Sequence, residues 1–238
     1  MIIFNVITLF PELFDAFLQH LPFSRAIEKG IIQINLIQLR DFAIDERGTV
    51  DGRPFGGGVG MLLRIEPVYK ALESVHNSVG TVKKEEKTSI IALAPSGKKF
   101  TQEKSQQLTK KEVITLICGR YEGMDERIKT HLATEVISVG DYVLSGGELP
   151  ALTIMETVTR LLPGVLEKEE AIAIESFSRE LGNGGHRESG SVEFPQYTRP
   201  KEFKGLKVPE VLLSGNHGEI LKWRESTKNF NDRNKKVS

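Results

Sequence analysis

An α/β fold built on a largely parallel sheet is predicted by two features of this 238-residue chain. Short apolar runs rich in Ile, Val and Leu alternate with segments of helical period, and glycine-bearing turns follow several of those runs. Strands that alternate with helices in this way form βαβ units and a sheet covered on both faces. The most informative turns are Val139-Gly140-Asp141-Tyr142-Val143-Leu144-Ser145-Gly146-Gly147-Glu148-Leu149-Pro150 and Leu116-Ile117-Cys118-Gly119-Arg120-Tyr121-Glu122-Gly123. Glycine in such a turn lets the backbone approach a ligand closely. Neither turn contains G-x-G-x-x-G opening a first βαβ unit or G-x-x-x-x-G-K-[ST], so a pocket built from them differs from the common nucleotide sites.

The elements follow in order. Residues 2–9 predict a strand, and Pro11 opens a short helix carrying Leu13, Phe14 and Phe17. Ser24 is placed to cap a second helix that Gly30 ends. Ile32, Ile34 and Leu36 alternate within a strand over 31–39, and a turn-rich stretch runs from Arg40 to Gly60. Glu66 to Val75 has the pattern of an amphipathic helix, and the polar stretch 77–88 predicts a surface loop. Strands are expected at Ser89–Ala94, Val113–Cys118 and Glu135–Val139, with helices at Thr101–Thr109, Met124–Leu132 and Leu149–Leu162. After Pro163-Gly164 the composition turns to Glu, Ser, Gly and Arg through residues 167–195, the character of a flexible linker. A basic tail from Tyr197, helical near Glu219 to Lys228, predicts a small second domain.

Composition narrows the function classes. The 32 basic and 32 acidic residues leave a formal net charge of zero, so a nucleic-acid partner must be met by local basic patches. The single cysteine, Cys118, excludes an internal disulfide and a cysteine-rich zinc site, and its apolar surroundings predict a buried thiol. No stretch reaches the roughly 20 apolar residues of a membrane span. The start, Met1-Ile2-Ile3-Phe4-Asn5, lacks a basic leader and reads as a strand. A cytoplasmic location is the expectation.

Three turns at strand ends are the candidate chemistry: Ala94-Pro95-Ser96-Gly97-Lys98, Gly119-Arg120-Tyr121-Glu122-Gly123 and Gly140-Asp141-Tyr142. Ligands of open α/β sheets bind outside the carboxyl ends of the strands, although glycine and proline also simply punctuate loops. A further glycine cluster, Asp51-Gly52-Arg53-Pro54-Phe55-Gly56-Gly57-Gly58-Val59-Gly60-Met61, offers backbone and the Arg53 charge to phosphate, or is only a surface loop. Arg160 closes a helix where a cation suits the dipole, and Glu175 is a linker carboxylate. Lys98, Lys99 and Lys104 cluster, as do Lys222, Arg224, Lys228, Arg233, Lys235 and Lys236, the latter interleaved with Trp223 and Phe230 as an RNA surface would be, although a charged tail is also commonly just solvated.

At these residues the chain resembles the bacterial tRNA (guanine-N1-)-methyltransferases of TrmD type, members of the SPOUT class. The resemblance runs through Leu9-Phe10-Pro11-Glu12, Arg53-Pro54-Phe55-Gly56-Gly57-Gly58, Cys118 to Arg127, Gly140 to Pro150, Pro163-Gly164-Val165, Tyr197-Thr198-Arg199-Pro200 and Val211 to His217, nearly the whole chain. It implies a SPOUT-type α/β domain over 1–166 with a deep trefoil knot, a flexible linker over 167–196, and a small helical tRNA-binding domain over 197–238. It implies an obligate homodimer with the site at the dimer interface. It implies S-adenosylmethionine bound against Pro95, Ser96, Gly97, Gly119, Tyr121, Glu122, Gly123, Val139, Gly140, Asp141, Tyr142, Val143, Leu144, Gly146, Gly147 and Pro150. The expected reaction methylates N1 of the guanosine at tRNA position 37 when a guanosine precedes it, which preserves the reading frame.

In the same resemblance Arg53, Gly57, Gly58, Ser176, Arg199 and His217 meet tRNA, Arg160 stabilises the guanine O6, and magnesium is implied without a ligand set. The general base departs from the family. Where its members usually carry Glu-Asp-Ser-Phe, this chain has Ile174-Glu175-Ser176-Phe177, which puts Glu175 at the aspartate position with one more methylene. The stretch from Ser178 to Val192 is also longer than the family's and the C-terminal domain shorter. The alternatives are another SPOUT enzyme acting on ribose 2′-hydroxyls or ribosomal RNA, and a non-catalytic RNA-binding relative.

Overall fold

The structure, a computed structural model, describes residues 1–79, 85–167, 176–177, 180–181, 185–186 and 192–227. Its chain divides into two compact units, Met1–Glu167 and Lys168–Ser238.

The first unit is organised by a five-stranded sheet of β1 (Ile2–Thr8), β2 (Ile32–Gln38), β5 (Thr88–Lys99), β6 (Val113–Cys118) and β7 (Glu135–Ser138). Its spatial order is β2-β1-β6-β5-β7, and every pairing is parallel. Burial on both faces explains why β1 and β6 are apolar nearly throughout: every residue of β6 is buried, and in β1 Phe4, Val6 and Ile7 are fully so. The remaining strands of the unit, β3 (Asp51–Gly52) and β4 (Leu62–Leu63), form a small antiparallel pair at the base of the glycine-rich loop.

Helices cover the two faces. On one, α2 (Phe23–Glu28) and α5 (Glu148–Arg160) bury Phe23, Ala26, Ala151, Ile154, Met155 and Val158 against Phe4, Val6 and Leu116. On the other, α3 (Ile65–Val79) sets Val68 and Ala71 against Ile7, Ala92 and Ile117. The short α1 (Asp15–Leu18) follows a 3-10 turn opened by Pro11, and α4 (Gln102–Leu108) is capped by Thr101, whose hydroxyl accepts from the Lys104 N–H at 3.2 Å.

Several elements differ from their sequence expectation. The strand begun at Ser89 does not stop at Ala94. It continues to Lys99 with residues 94–97 bulged out, so that Leu93 and Lys98 both pair with Ile137. Ser24 lies inside the first turn of α2, with Pro22 at the capping position, while Gly30 does follow the helix at φ +63°. Helix α3 runs on through residues 77–79, where a loop was expected. The helix expected over Met124 to Leu132 begins only at Glu126 and is π-helical over Ile128–Leu132. The reason is competition for backbone: Met124 bridges to Leu63, and the Asp125 N–H donates to the Leu63 carbonyl at 2.9 Å.

In the second unit the described elements are β8 (Glu180–Leu181) paired with β9 (Gly185–His186), β10 (Glu202–Phe203) paired with β11 (Leu206–Lys207), α6 (Glu210–Leu213) and α7 (His217–Thr227). Asn216 caps α7, its side-chain oxygen accepting from the N–H groups of Gly218 and Glu219 at 3.1 and 3.3 Å. Aromatic and cationic groups order this unit: the Tyr197 and Trp223 rings lie 6.3 Å apart, and the Arg224 guanidinium sits 4.7 Å from the centre of the Phe194 ring.

Candidate functional site

The carboxyl ends of β5, β6 and β7 open into one cleft of about 540 Å³. Its walls are the three turns singled out in the sequence. Pro95 and Ser96 come from the bulge in β5. Gly119, Tyr121, Glu122 and Gly123 follow β6. Val139, Tyr142, Val143, Leu144, Gly146, Gly147 and Pro150 come from the segment between β7 and the first turn of α5.

The other expected cofactor residues, Gly97, Gly140 and Asp141, are not among the lining residues. A Cβ on Gly97 would lie 2.6 Å from backbone atoms of Val136 and Ile137, so glycine there lets the bulge press onto β7. One on Gly140 would lie 2.3 Å from the Tyr142 ring. Asp141 is ion-paired with Lys99 across the mouth of the bulge. Sequence reasoning missed several lining residues, among them Leu62, Met124, Glu126 and Lys129. Leu62 and Met124 arrive through the backbone bridge between β4 and the turn after β6, a long-range contact with no periodic signature. Glu126 and Lys129, ion-paired with each other, lie three apart on the helical segment over 126–132.

Beneath the cleft lies a buried polar cluster. Glu148, at the first position of α5, is 2% exposed. The Thr8 hydroxyl donates to its Oε1 at 2.7 Å, and Arg120 Nη2 stands 3.0 Å from its Oε2. The guanidinium rests 4.4 Å from the centre of the Phe10 ring and reaches the Ser145 carbonyl at 3.4 Å. The ion pair is a charge contact more than an aligned hydrogen bond: neither Arg120 Nε nor Glu148 Oε2 has an aligned hydrogen-bond partner among the described residues. Cys118 is fully buried beside this cluster. Burial pushes its thiol well above the ordinary range, and the Glu148 charge adds to the effect, so it is an inert packing group.

The glycine-rich loop is joined to the cleft at one end. The Glu122 N–H donates to the Met61 carbonyl at 3.0 Å, and a Cβ on Gly60 would meet the Glu122 side chain at 2.2 Å. The rest of the loop stands out in solvent, with Arg53, Gly57 and Gly58 exposed and Phe55 and Val59 almost fully so. Gly56, Gly57, Gly58 and Gly60 all take positive φ, a run that only glycine adopts readily.

Arg160 is not brought to this cleft. It is half-buried at the far end of α5, about 15 Å beyond Pro150 along the helix axis. Glu175 lies outside the described residues, as do Lys228, Phe230, Arg233, Lys235 and Lys236. Ser176 is held by Glu193, each giving its N–H to the other's side-chain oxygen at 3.0 and 3.1 Å. Arg199 and His217 are exposed in the second unit. Among the described residues no group of three His, Cys, Asp or Glu is arranged to hold a metal, and no helix is long and apolar enough to cross a membrane.

Comparison with known proteins identifies the family. The family model described as tRNA (Guanine-1)-methyltransferase TrmD matches residues 2–237. A tRNA (guanine-N(1)-)-methyltransferase of Staphylococcus carnosus is 49% identical over 224 residues, covering 94% of this chain and 84% of that protein. Its counterpart in Staphylococcus aureus is 48% identical over 232 residues, covering 98% and 88%. The crystal structure of tRNA (m1G37) methyltransferase from Aquifex aeolicus superposes with a TM-score of 0.73 at 39% identity, covering 93% of this chain and 87% of that one. With its parallel sheet, its cleft of glycine turns and a family match from end to end, this chain belongs to the TrmD family of tRNA (guanine-N1)-methyltransferases, whose members depend on S-adenosylmethionine.

Proposed function

We propose that the protein transfers a methyl group from S-adenosylmethionine to N1 of the guanosine at tRNA position 37, beside the anticodon. The observation that carries this reading is the convergence of three glycine turns on one cleft at the carboxyl ends of β5, β6 and β7. The cleft suits the cofactor. Close backbone approach at Gly119, Gly146 and Gly147 serves a nucleoside, Tyr121 and Tyr142 offer ring surfaces, and the Glu122 carboxylate suits a cationic ligand.

S-adenosylmethionine supplies an electrophilic methyl on a positively charged sulfur. The protein's own task is to make N1 of guanine nucleophilic and to hold it in line. N1 carries a proton at neutral pH, and Glu175 takes that proton as the N1–CH₃ bond forms and the sulfur–methyl bond breaks. Arg160 meets the negative charge that grows on the guanine O6. The remaining advantage is orientation. Arg160 stands at the end of α5 remote from its own cleft, which supports a homodimer in which each site draws residues from both copies. Arg53, Gly57, Gly58, Ser176, Arg199 and His217 are assigned to tRNA, their exposure or loop position being compatible with that role. The knot of the SPOUT class is part of the same reading, supported by the packing of Gly147 against the backbone of Cys118 and Gly119. Among the described residues no group of three His, Cys, Asp or Glu offers magnesium an all-protein site.

The test is methyl transfer into a tRNA transcript with guanosines at positions 36 and 37. Nucleoside mass spectrometry should show 1-methylguanosine at position 37; ribose methylation, or an undiminished rate after replacing guanosine-36, overturns the reading. Glu175→Gln and Arg160→Ala should each lower turnover by about 10²–10³ with cofactor affinity within about twofold of wild type.

A further inference from the structure

The Arg120–Glu148 pair raises a question of charge that the reaction itself does not answer. Arg120 is among the residues that line the cleft, its side chain 21% exposed, so it brings a positive charge close to a ligand space proposed to hold a sulfonium cation. Two like charges across a low-dielectric cleft repel. The carboxylate that answers Arg120 is Glu148, whose side chain is 3% exposed and does not line the cleft. Its other oxygen is occupied by the hydroxyl of fully buried Thr8. Gly146 rides directly over the pair: a Cβ there would stand 2.3 Å from Arg120 Nε and 2.4 Å from Glu148 Oε2. The nearby cation Lys129 is ion-paired with Glu126.

We infer that Glu148 is the charge-balancing residue of the cleft: by cancelling Arg120 it sets how well the protein distinguishes S-adenosylmethionine from S-adenosylhomocysteine. The inference rests on the cofactor reading above. Cofactor and product differ by one methyl and one positive charge on sulfur. A guanidinium left uncompensated beside them favours the neutral thioether, so the product would hold the site against the substrate. Glu148 touches neither reacting atom and is a positioning residue that acts through Arg120.

The experiment measures dissociation constants of both molecules by calorimetry on wild type, Glu148→Gln, Arg120→Gln and the double variant. Glu148→Gln should shift the ratio of the two constants about tenfold against S-adenosylmethionine, the weight of one unit charge roughly 10 Å away at an effective dielectric of about 20. Arg120→Gln should shift it in the opposite direction, which keeps the inference testable if Glu148→Gln does not fold. The double variant should return the ratio to within about twofold of wild type, even where both affinities fall. A Thr8→Val change, which removes the hydroxyl and keeps both charges, should leave the ratio unchanged. Equal weakening of both molecules in Glu148→Gln, or an Arg120→Gln ratio like wild type, assigns the pair a purely structural role and overturns the inference. Wild-type protein that binds neither molecule overturns the cofactor reading instead, and the inference with it.

Discussion

Gly147 and Gly56 are both glycines, for different physical reasons. A Cβ on Gly147 would lie 2.6 Å from the Cys118 Cα and 2.8 Å from the Gly119 nitrogen, backbone atoms that cannot step aside. Gly56 has open space around it and is glycine for its φ of +80°. Gly147→Ala should therefore lower the melting temperature by roughly 5–10 °C, the scale of 2–3 kcal/mol of overpacking, and abolish cofactor binding. Gly56→Ala carries only the left-handed backbone strain of about 1–2 kcal/mol, shared with an exposed loop, and should leave cofactor affinity unchanged. Thermal melts and calorimetric titration separate the two. The sequence marks both positions as turns, but nothing in a local pattern distinguishes a glycine required by a neighbour 29 residues earlier from one required by its own dihedral.

At the scale of elements, the sheet was legible because its strands are local: β1, β2, β6 and β7 fall where apolar runs predict them. Two elements were not. The bulge at residues 94–97 interrupts the pairing of a strand whose composition gives no sign of continuing past Pro95. The segment after Gly123 has helical composition, yet Met124 and Asp125 spend their backbone on β4 and the helix starts only at Glu126. Asp125 stiffens that segment, accepting from the N–H and Nε–H of Arg127, both at 2.9 Å.

The Arg127 guanidinium hydrogen-bonded to Asp125 holds its carboxyl below the ordinary range. A carboxylate with a lowered folded value contributes stability above its unfolded value, near pH 4, and loses it as pH falls through the lowered one. Asp125→Asn should thus cost no more than about 3 °C of melting temperature at pH 7, since the pair is partly solvated. The gap to wild type should narrow as pH is taken below about 4. A gap that stays constant with pH would show that the charge contributes nothing.

At the scale of the molecule, the two units carry different features. The first carries the cleft, and the second carries Tyr197, Trp223, Phe194 and Arg224 as an ordered aromatic and cationic group. Trp223→Ala should raise KM for tRNA about tenfold while the affinity for S-adenosylmethionine stays within about twofold. A parallel loss of both affinities would place Trp223 in the fold of the whole protein instead. Within the first unit, α5 has Pro150 of the cleft wall in its first turn and Arg160 at its opposite end.

By itself the sequence determined the α/β class, the strand order along the chain, the three glycine turns and the family, because apolar period, turn chemistry and ordered motifs are written within a few residues of one another. Only the tertiary structure decided which turn residues meet in one cleft, which do not line it, and that Thr8, Arg120 and Glu148 form one cluster. Thr8 and Glu148 are 140 residues apart and share a hydrogen bond because β1 pairs with β6 and α5 starts against the turn that β6 leads into. Strand neighbourhood is set by the packing of the whole sheet, and no local period records it.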